Sequence, residues 1–406
     1  MSDDFRSFVV KWLPAIAEPL GLQAAATNVT SRLDAQSRAL GLFREIARKP
    51  PVRHSYAALL HPEWSPVPFG FRDQDIWHLK EWCNTPPNGS PLWRLVIGDT
   101  GRGKTRLLMR LVEELNGSLD HPWRAGFVDV ARVRSQPIDL LCLRELTEDL
   151  LLVIDYAERF ESETVSVMKA ALAIAEDRPS RRVQLVLISR RKSELWDRIG
   201  RNNKEIGAFI DSGGLDFVEL SPLAEELHTR EAVFKSAYEA FERHYGELRP
   251  LEAAPNLEPV AFEDALLIHM ASLSLYHREL DPIGLSEETL LHWVLSRERR
   301  LWNEMVDGKG LPASLRDSPI EQAAAYLTLI TLSEGITSRQ DAVEHLQVCP
   351  ELRGVDGPTL GQIAQIFHEL YPGPAWANGV TPDLVGTYLL SESSDEFVSS
   401  VFAQID

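Results

Sequence analysis

One octapeptide narrows what this chain can fold into more than any other feature: Gly98-Asp99-Thr100-Gly101-Arg102-Gly103-Lys104-Thr105. It satisfies G-x-x-x-x-G-K-[ST] at each fixed position, and that spacing has a mechanical reason. Glycines let backbone N–H groups turn inward around an anion with no Cβ in the way. The loop then opens a helix, whose N-terminal dipole favours negative charge. On this reading Gly98 through Thr105, with Arg106 next to them, cradle the phosphates of ATP or ADP. Lys104 reaches the β- and γ-phosphates and the Thr105 hydroxyl ligates Mg²⁺. The flanks agree. Leu92 to Ile97 is a short apolar run suited to a buried strand, and Leu107, Leu108, Leu111, Val112 and Leu115 follow with helical spacing up to Asn116-Gly117.

Such a loop needs an acidic partner for the metal. Leu150-Leu151-Leu152-Val153-Ile154-Asp155 supplies one, a buried strand ending in a carboxylate at its C-terminal end. Asp155 is therefore the second expected Mg²⁺ ligand. Hydrolysis also needs a group that orients or deprotonates water. Tyr156 is no base at neutral pH, so Glu158 is the candidate, the other reading being a solvated acid on the next helix. Val183 to Ile188 is a further strand, ending in Ser189-Arg190-Arg191. Arg190 there places a cation to contact a γ-phosphate or report its loss, unless the pair is only a basic surface step.

The chain has 406 residues, with Lys+Arg 42 against Asp+Glu 60 and a net charge of −18. That balance argues against a surface devoted to nucleic acid, which needs positive charge to displace counterions. The start, Met1-Ser2-Asp3-Asp4, has neither a basic n-region nor a long apolar run, and no stretch approaches a membrane span. Three widely spaced cysteines, Cys83, Cys142 and Cys349, suggest reduced structural thiols. The expectation is a cytoplasmic protein.

Four segments are expected. Residues 1–60 carry two helical patterns, one with Phe8, Val9, Trp12, Leu13 and Ile16, the other with Leu33, Leu40, Leu42, Phe43 and Ile46, ending at Pro50-Pro51. Residues 61–222 hold the nucleotide-binding domain, with strands at Leu92–Ile97, Gly126–Val130, Leu150–Ile154, Val183–Ile188 and Leu215–Leu220. Strands alternating with helices imply a parallel sheet covered on both faces, a three-layer α/β core. Residues 223–310 read as a helical lid with an aromatic stripe, Phe234, Tyr238, Phe241 and Tyr245. Residues 311–406 open on Ser318-Pro319-Ile320-Glu321, a capping box repeated in form at Thr359-Leu360-Gly361-Gln362. Three short helices and a turn-rich extension there suggest a winged helix.

Together these pieces resemble the bacterial STAND class of P-loop NTPases, the switch ATPases that include NACHT and NB-ARC proteins. Val67-Pro68-Phe69-Gly70-Phe71-Arg72 is similar to their P-F-x-G-R motif, with Phe71 interposed; the resemblance makes Arg72 a nucleotide contact. Asp155-Tyr156-Ala157-Glu158 resembles their D-Y-A-E. Leu187-Ile188-Ser189-Arg190 with Glu194-Leu195-Trp196 resembles the sensor strand and its helix. Ile268-His269-Met270-Ala271 resembles the lid helix, with Ala265-Leu266 where a Pro-Leu pair is usual. The resemblance covers residues 62 to 390. It implies an ATP/ADP-controlled switch that hydrolyses slowly, oligomerises in the ATP state, and takes sensing and effector functions from protein partners, a role many relatives play in microbial defence signalling.

Two other readings fit the same residues. One is a motor or loader ATPase of AAA+ type, with steady turnover stimulated by DNA or protein. The other is an interaction subunit that a nucleotide stabilises without much turnover.

Overall fold

The computed structural model describes residues 23–46, 55–86, 92–119, 121–135, 140–190, 194–333, 336, 338–373 and 375–393, with the side chains of 23–31, 135, 194, 195, 332 and 333 excepted. The expected helix around Phe8 to Ile16, Pro50-Pro51 and Arg191 lie outside the described residues. In chain order the elements are α1 (Gln23–Leu40), α2 (Tyr56–Leu60), α3 (Asp73–Cys83), β1 (Leu92–Ile97), α4 (Lys104–Asn116), β2 (Trp123–Phe127), α5 (Val130–Ser135), β3 (Asp149–Ile154), α6 (Glu161–Asp177), β4 (Val183–Ile188), α7 (Glu194–Asn202), α8 (Lys204–Asp211), β5 (Leu215–Glu219), α9 (Leu227–Tyr245), α10 (Ala265–Tyr276), α11 (Glu287–Gly308), α12 (Ser318–Ser333), α13 (Arg339–Val348), α14 (Gly357–Leu370) and α15 (Asp383–Glu392). They fall into two compact units. The first is 1–45, 77–96 and 108–218; the second is 46–76, 97–107 and 219–406.

The first unit is built on one five-stranded sheet of order β2-β3-β4-β1-β5, with parallel pairing from β2 through β1. Strands β3 and β4 are central, and their continuous apolar runs are the mark of a sheet buried on both faces. Leu150, Leu151, Val153, Ile154, Leu185, Val186 and Leu187 have no exposed surface. Burying each such leucine or isoleucine stabilises by about 1.5–3 kcal/mol. The one polar residue in β4, Gln184, is buried and donates to the Trp82 and Cys83 carbonyls at the end of α3, at 3.1 and 2.9 Å. These bonds serve helix-end acceptors, of which the Trp82 carbonyl also takes the Thr85 amide at 3.2 Å.

The second strand differs from expectation: it runs Trp123–Phe127, three residues earlier than Gly126–Val130. The reason is tertiary. Val128 forms an antiparallel bridge with Phe43. The Asp129 amide donates to the Leu42 carbonyl, and the Arg44 amide to the Phe127 carbonyl, both at 2.8 Å. The N-terminal segment thus occupies the outer edge of β2. Gly126 is required there, because a Cβ would stand 2.6 Å from the Phe43 ring. Helix α1 is anchored in the same unit, with Gln36 Nε2 donating to the Glu145 carbonyl at 2.9 Å.

The second unit is helical. Every residue of α10 is buried, as expected of a helix that is apolar all round. The aromatic stripe on α9 packs as predicted at Phe234, Tyr238 and Phe241, while Tyr245 is partly exposed and stacks on Tyr276 with centroids 5.0 Å apart. At the centre lies a fully buried carboxylate, Glu298 of α11. Its Oε1 accepts from Ser55 Oγ at 3.1 Å and the Ala57 amide at 3.2 Å. Its Oε2 accepts from Tyr371 Oη at 2.6 Å, and Tyr371 Oη accepts from Trp302 Nε1 at 2.8 Å. One side chain therefore joins the residues opening α2, the lid helix α11 and the end of α14.

Helices α12, α13 and α14 stand where a winged helix was expected, and Ile336 bridges Ala377 in antiparallel fashion. Among the described residues that isolated bridge is the one β-pairing in this segment. Both predicted capping boxes are displaced. Ser318 is already helical, and the Glu321 amide donates to the Asp317 carbonyl at 3.1 Å. Helix α14 starts at Gly357, with Asp356 as the cap that accepts from the Thr359 amide at 3.0 Å. An aspartate three residues ahead of a threonine captured its N–H, so Thr359 sits inside the first turn. No helix among the described residues is long and apolar enough to cross a membrane.

Candidate functional site

The glycine loop lies in the second unit. Gly101 and Gly103 have φ of 92° and 84°, left-handed values that a Cβ would disfavour. A Cβ added at Gly103 would meet nothing within 4 Å, so that face of the loop is open. The loop closes into α4 through the Leu107 amide, which donates to the Gly103 carbonyl at 2.9 Å. Lys104 Nζ donates to the Gly98 and Asp99 carbonyls at 2.5 and 2.9 Å, so its ammonium lies over the loop's own backbone. Thr105 is half-buried.

Around the loop the second unit places four groups. Arg72, predicted as a nucleotide contact, is buried and donates to Asp75 Oδ2 at 3.1 Å, the Arg102 carbonyl at 3.0 Å and the Ser221 carbonyl at 2.8 Å. It clamps the loop backbone to the start of the lid. The preceding Phe71 takes the left-handed conformation (φ 62°), so the inserted residue, not Gly70, makes the turn. Arg106 points back to the carbonyl of Val67. Burial pushes its pKa down to about 10, which leaves it charged at neutral pH. His269 of α10 is buried, and burial, reinforced by the charge of Arg106, pushes it down to about 3, so its ring is neutral.

Sequence reasoning missed Asp264. Its Oδ1 lies 3.1 Å from Nε of the loop residue Arg102. Arg102 also faces Asp99, at 3.8 Å. Asp264 is the N-cap of α10 yet makes no side-chain capping bond. Burial raises its carboxyl pKa and Arg102 draws it back. A sequence signal existed, an aspartate directly before an apolar helix, but it pointed to a cap rather than to a partner 162 positions away.

The first unit gathers the other predicted residues. Because β1, β3 and β4 are parallel and pair Val96 with Ile188 and Ile154 with Leu187, all three end at one edge of the sheet. Asp155 leaves β3 there, its Oδ1 accepting from the Tyr156 amide at 3.0 Å. Tyr156 is left-handed (φ 54°), and the Arg159 guanidinium lies 4.1 Å from its ring centroid. That kink turns the chain so that Glu158 meets Arg190. The Arg190 amide donates to Glu158 Oε1 at 3.4 Å, and Arg190 Nε lies 3.8 Å from the same oxygen. Glu158 Oε2 is buried with no hydrogen-bond partner. Trp196 of α7 is buried.

The residues fit a magnesium nucleotide in chemistry. The open glycine cradle suits a phosphate, and the Thr105 hydroxyl and Asp155 carboxylate are hard oxygen donors. Among the described residues no group of three or more His, Cys, Asp or Glu side chains is placed to hold a metal ion.

No protein-family profile matches the chain, and no curated protein sequence is similar to it. Among solved structures, it is similar to the Aeropyrum pernix ORC1 protein in complex with DNA (16% identity, 84% of this chain and 97% of that one, TM-score 0.37). It is also similar to Cdc6p from Pyrobaculum aerophilum (15% identity, 83% and 98%, TM-score 0.35). A third is AMPPCP-bound DnaA from Aquifex aeolicus (15% identity, 87% and 100%, TM-score 0.32). Likenesses this distant say nothing of activity, substrate or partner. The strand–glycine loop–helix and the parallel sheet in this chain are those of a P-loop NTPase fold with a helical lid.

Proposed function

We propose that this chain is a P-loop ATPase that binds Mg-ATP and Mg-ADP and uses the difference between them as a conformational switch. The observation that carries the proposal is the glycine loop itself, with left-handed Gly101 and Gly103, an open face at Gly103, and Lys104 and Thr105 opening α4. Gly98 to Thr105 bind the phosphates, with Arg106 and Arg72 holding the loop to its surroundings. Thr105 and Asp155 are the Mg²⁺ ligands, Glu158 orients water, and Arg190 reads the γ-phosphate. A bound magnesium ion would neutralise charge on the phosphate oxygens. The pairing of Glu158 with Arg190 suits slow turnover, since the water-orienting group is engaged elsewhere.

A ligand shifts a conformational equilibrium only by its differential affinity for the two states. The proposal therefore predicts retained ADP, slow hydrolysis, and a change of oligomeric state with a non-hydrolysable ATP analogue. Protein partners would supply the signal and the output. The second reading is an AAA+-type loader or motor. That reading expects turnover stimulated by DNA or protein, so DNA belongs in the test.

The experiment is to identify the nucleotide carried by purified protein, then to measure size and turnover with ADP, ATP and the analogue, with and without DNA. Steady turnover accelerated by DNA with no change of size would replace the switch with the loader. Lys104→Ala is expected to lower nucleotide affinity at least about 100-fold, and unchanged binding in that variant would remove the site.

A further inference from the structure

Helix N-caps of the Asp, Asn, Ser and Thr types normally spend their side-chain oxygen on an amide two or three residues on. Asp264 caps α10 and does not do so; its carboxylate is turned to Arg102 of the phosphate loop, 3.1 Å away. A broken local rule in an otherwise consistent sequence points to a demand from elsewhere. The two side chains are 17% and 22% exposed, so the pair is largely withdrawn from water. The contact lies outside hydrogen-bond geometry at Asp264 Oδ1, and Arg102 Nη1 is buried with no acceptor. The guanidinium is thus held by charge, with donor capacity to spare. Its neighbours show how closely the loop and the helix start are joined: a Cβ on Gly101 would stand 3.5 Å from Leu266 Cβ and 3.7 Å from Asp264 Cγ. Arg102 is itself fixed at its carbonyl by Arg72.

We propose that Asp264 is a positioning residue for the nucleotide site: acting through Arg102, it ties the phosphate loop to the first turn of the lid helix, and the tie governs how long nucleotide is retained. This rests on the nucleotide-binding reading above and adds its regulation. An anion in the cradle would offer Arg102 Nη1 the acceptor it lacks. Arg102 would then stand between two negative groups and keep Asp264 from repelling the phosphates. Loss of the carboxylate frees the lid; loss of the guanidinium leaves a carboxylate facing the ligand.

The test is stopped-flow release of a fluorescent ADP analogue from the full chain, in wild type, Asp264→Asn, Asp264→Glu, Arg102→Gln and the Arg102→Gln/Asp264→Asn double variant. Asparagine keeps the size and the capping ability of the residue, so folding is preserved and a melting curve checks this. Release is expected to accelerate about 10- to 100-fold in Asp264→Asn, between the small effect of an exposed ion pair and the larger one of a fully buried pair. Asp264→Glu should recover part of the retention. In the Arg102→Gln background the second substitution should not accelerate release further, because the tie is already gone, and should slow it by removing the carboxylate left facing the ligand. Wild-type release rates in Asp264→Asn, or additive effects in the double variant, would overturn the inference while leaving nucleotide binding intact. A wild-type chain that takes up no nucleotide would instead overturn the functional reading.

Discussion

Glu298 offers the sharpest physical test of how the second unit is held together. Glu298→Ala removes the acceptor of the Ala57 amide and the Tyr371 hydroxyl, two donors fixed in place. Ser55 can turn its hydroxyl elsewhere. Each buried donor left unsatisfied costs about 1–3 kcal/mol. Releasing a buried carboxylate offsets part of that, so a net loss of about 3 kcal/mol is expected. Glu298→Gln keeps Oε1 for Ser55 and Ala57 and leaves only the Tyr371 hydroxyl without an acceptor, a loss of about 1–2 kcal/mol. Burial raises the Glu298 carboxyl above its ordinary 4.5, against the pull of its Tyr371, Ala57 and Ser55 hydrogen bonds. A raised carboxyl binds its proton more tightly in the folded state. Its stabilising contribution is therefore complete below pH 4.5 and fades as pH rises through the folded value. The deficit of the glutamine variant should shrink between acid and neutral pH. Native-state hydrogen exchange at the Ala57 amide, read as an opening free energy at several pH values, measures all of this. Equal costs for alanine and glutamine, or a glutamine deficit that grows with pH, would refute the reasoning.

Other outcomes follow from single contacts. Arg72→Ala frees the carbonyls of Arg102 and Ser221 and should cost about 3 kcal/mol in a denaturant titration; Arg72→Lys should not recover it, since a point charge cannot serve three acceptors in a fork. Tyr156→Val puts a β-branched residue at φ 54° and should destabilise by about 1–3 kcal/mol, whereas Tyr156→Asn tolerates the conformation and should keep the fold. Burial pushes the thiols of Cys83 and Cys349 up to about 12 and about 11, so iodoacetamide at pH 8 should leave both unmodified until the chain is denatured, as intact-mass spectra would show.

The parts of the fold legible in the sequence are those fixed by local pattern. The glycine loop could be read because each of its constraints is met by neighbours in the chain. The strands β3 and β4 could be read because a buried parallel strand is apolar at nearly every position, with Asp149 and Gln184 the exceptions. What escaped depended on distant residues. The limits of β2 moved because Phe43 and Leu42, some 80 positions earlier, take over the pairing of Val128 and Asp129. The cap of α14 moved because Asp356, just upstream, captured the Thr359 amide, and α12 starts one residue early with the Asp317 carboxylate engaged by Asn303 rather than by a helix amide. Arg72 was read as facing a ligand, but its acceptors are backbone oxygens of residues 102 and 221 that no motif reveals. Asp264 escaped for the same reason: a cap and a counter-ion are one letter in the sequence, and only geometry separates them.

The seating of Phe43 on Gly126 has a consequence for the life of the sheet outside its own molecule. An outermost strand with free amides and carbonyls is an invitation to any other extended chain. Here the molecule answers that invitation itself with residues 42–44, and the ring on the glycine allows little else to fit. Along this strand the guard against pairing with another copy is thus shared between residues 42–44 at its end and the Asn116 side chain, which takes up the Ala125 amide and carbonyl.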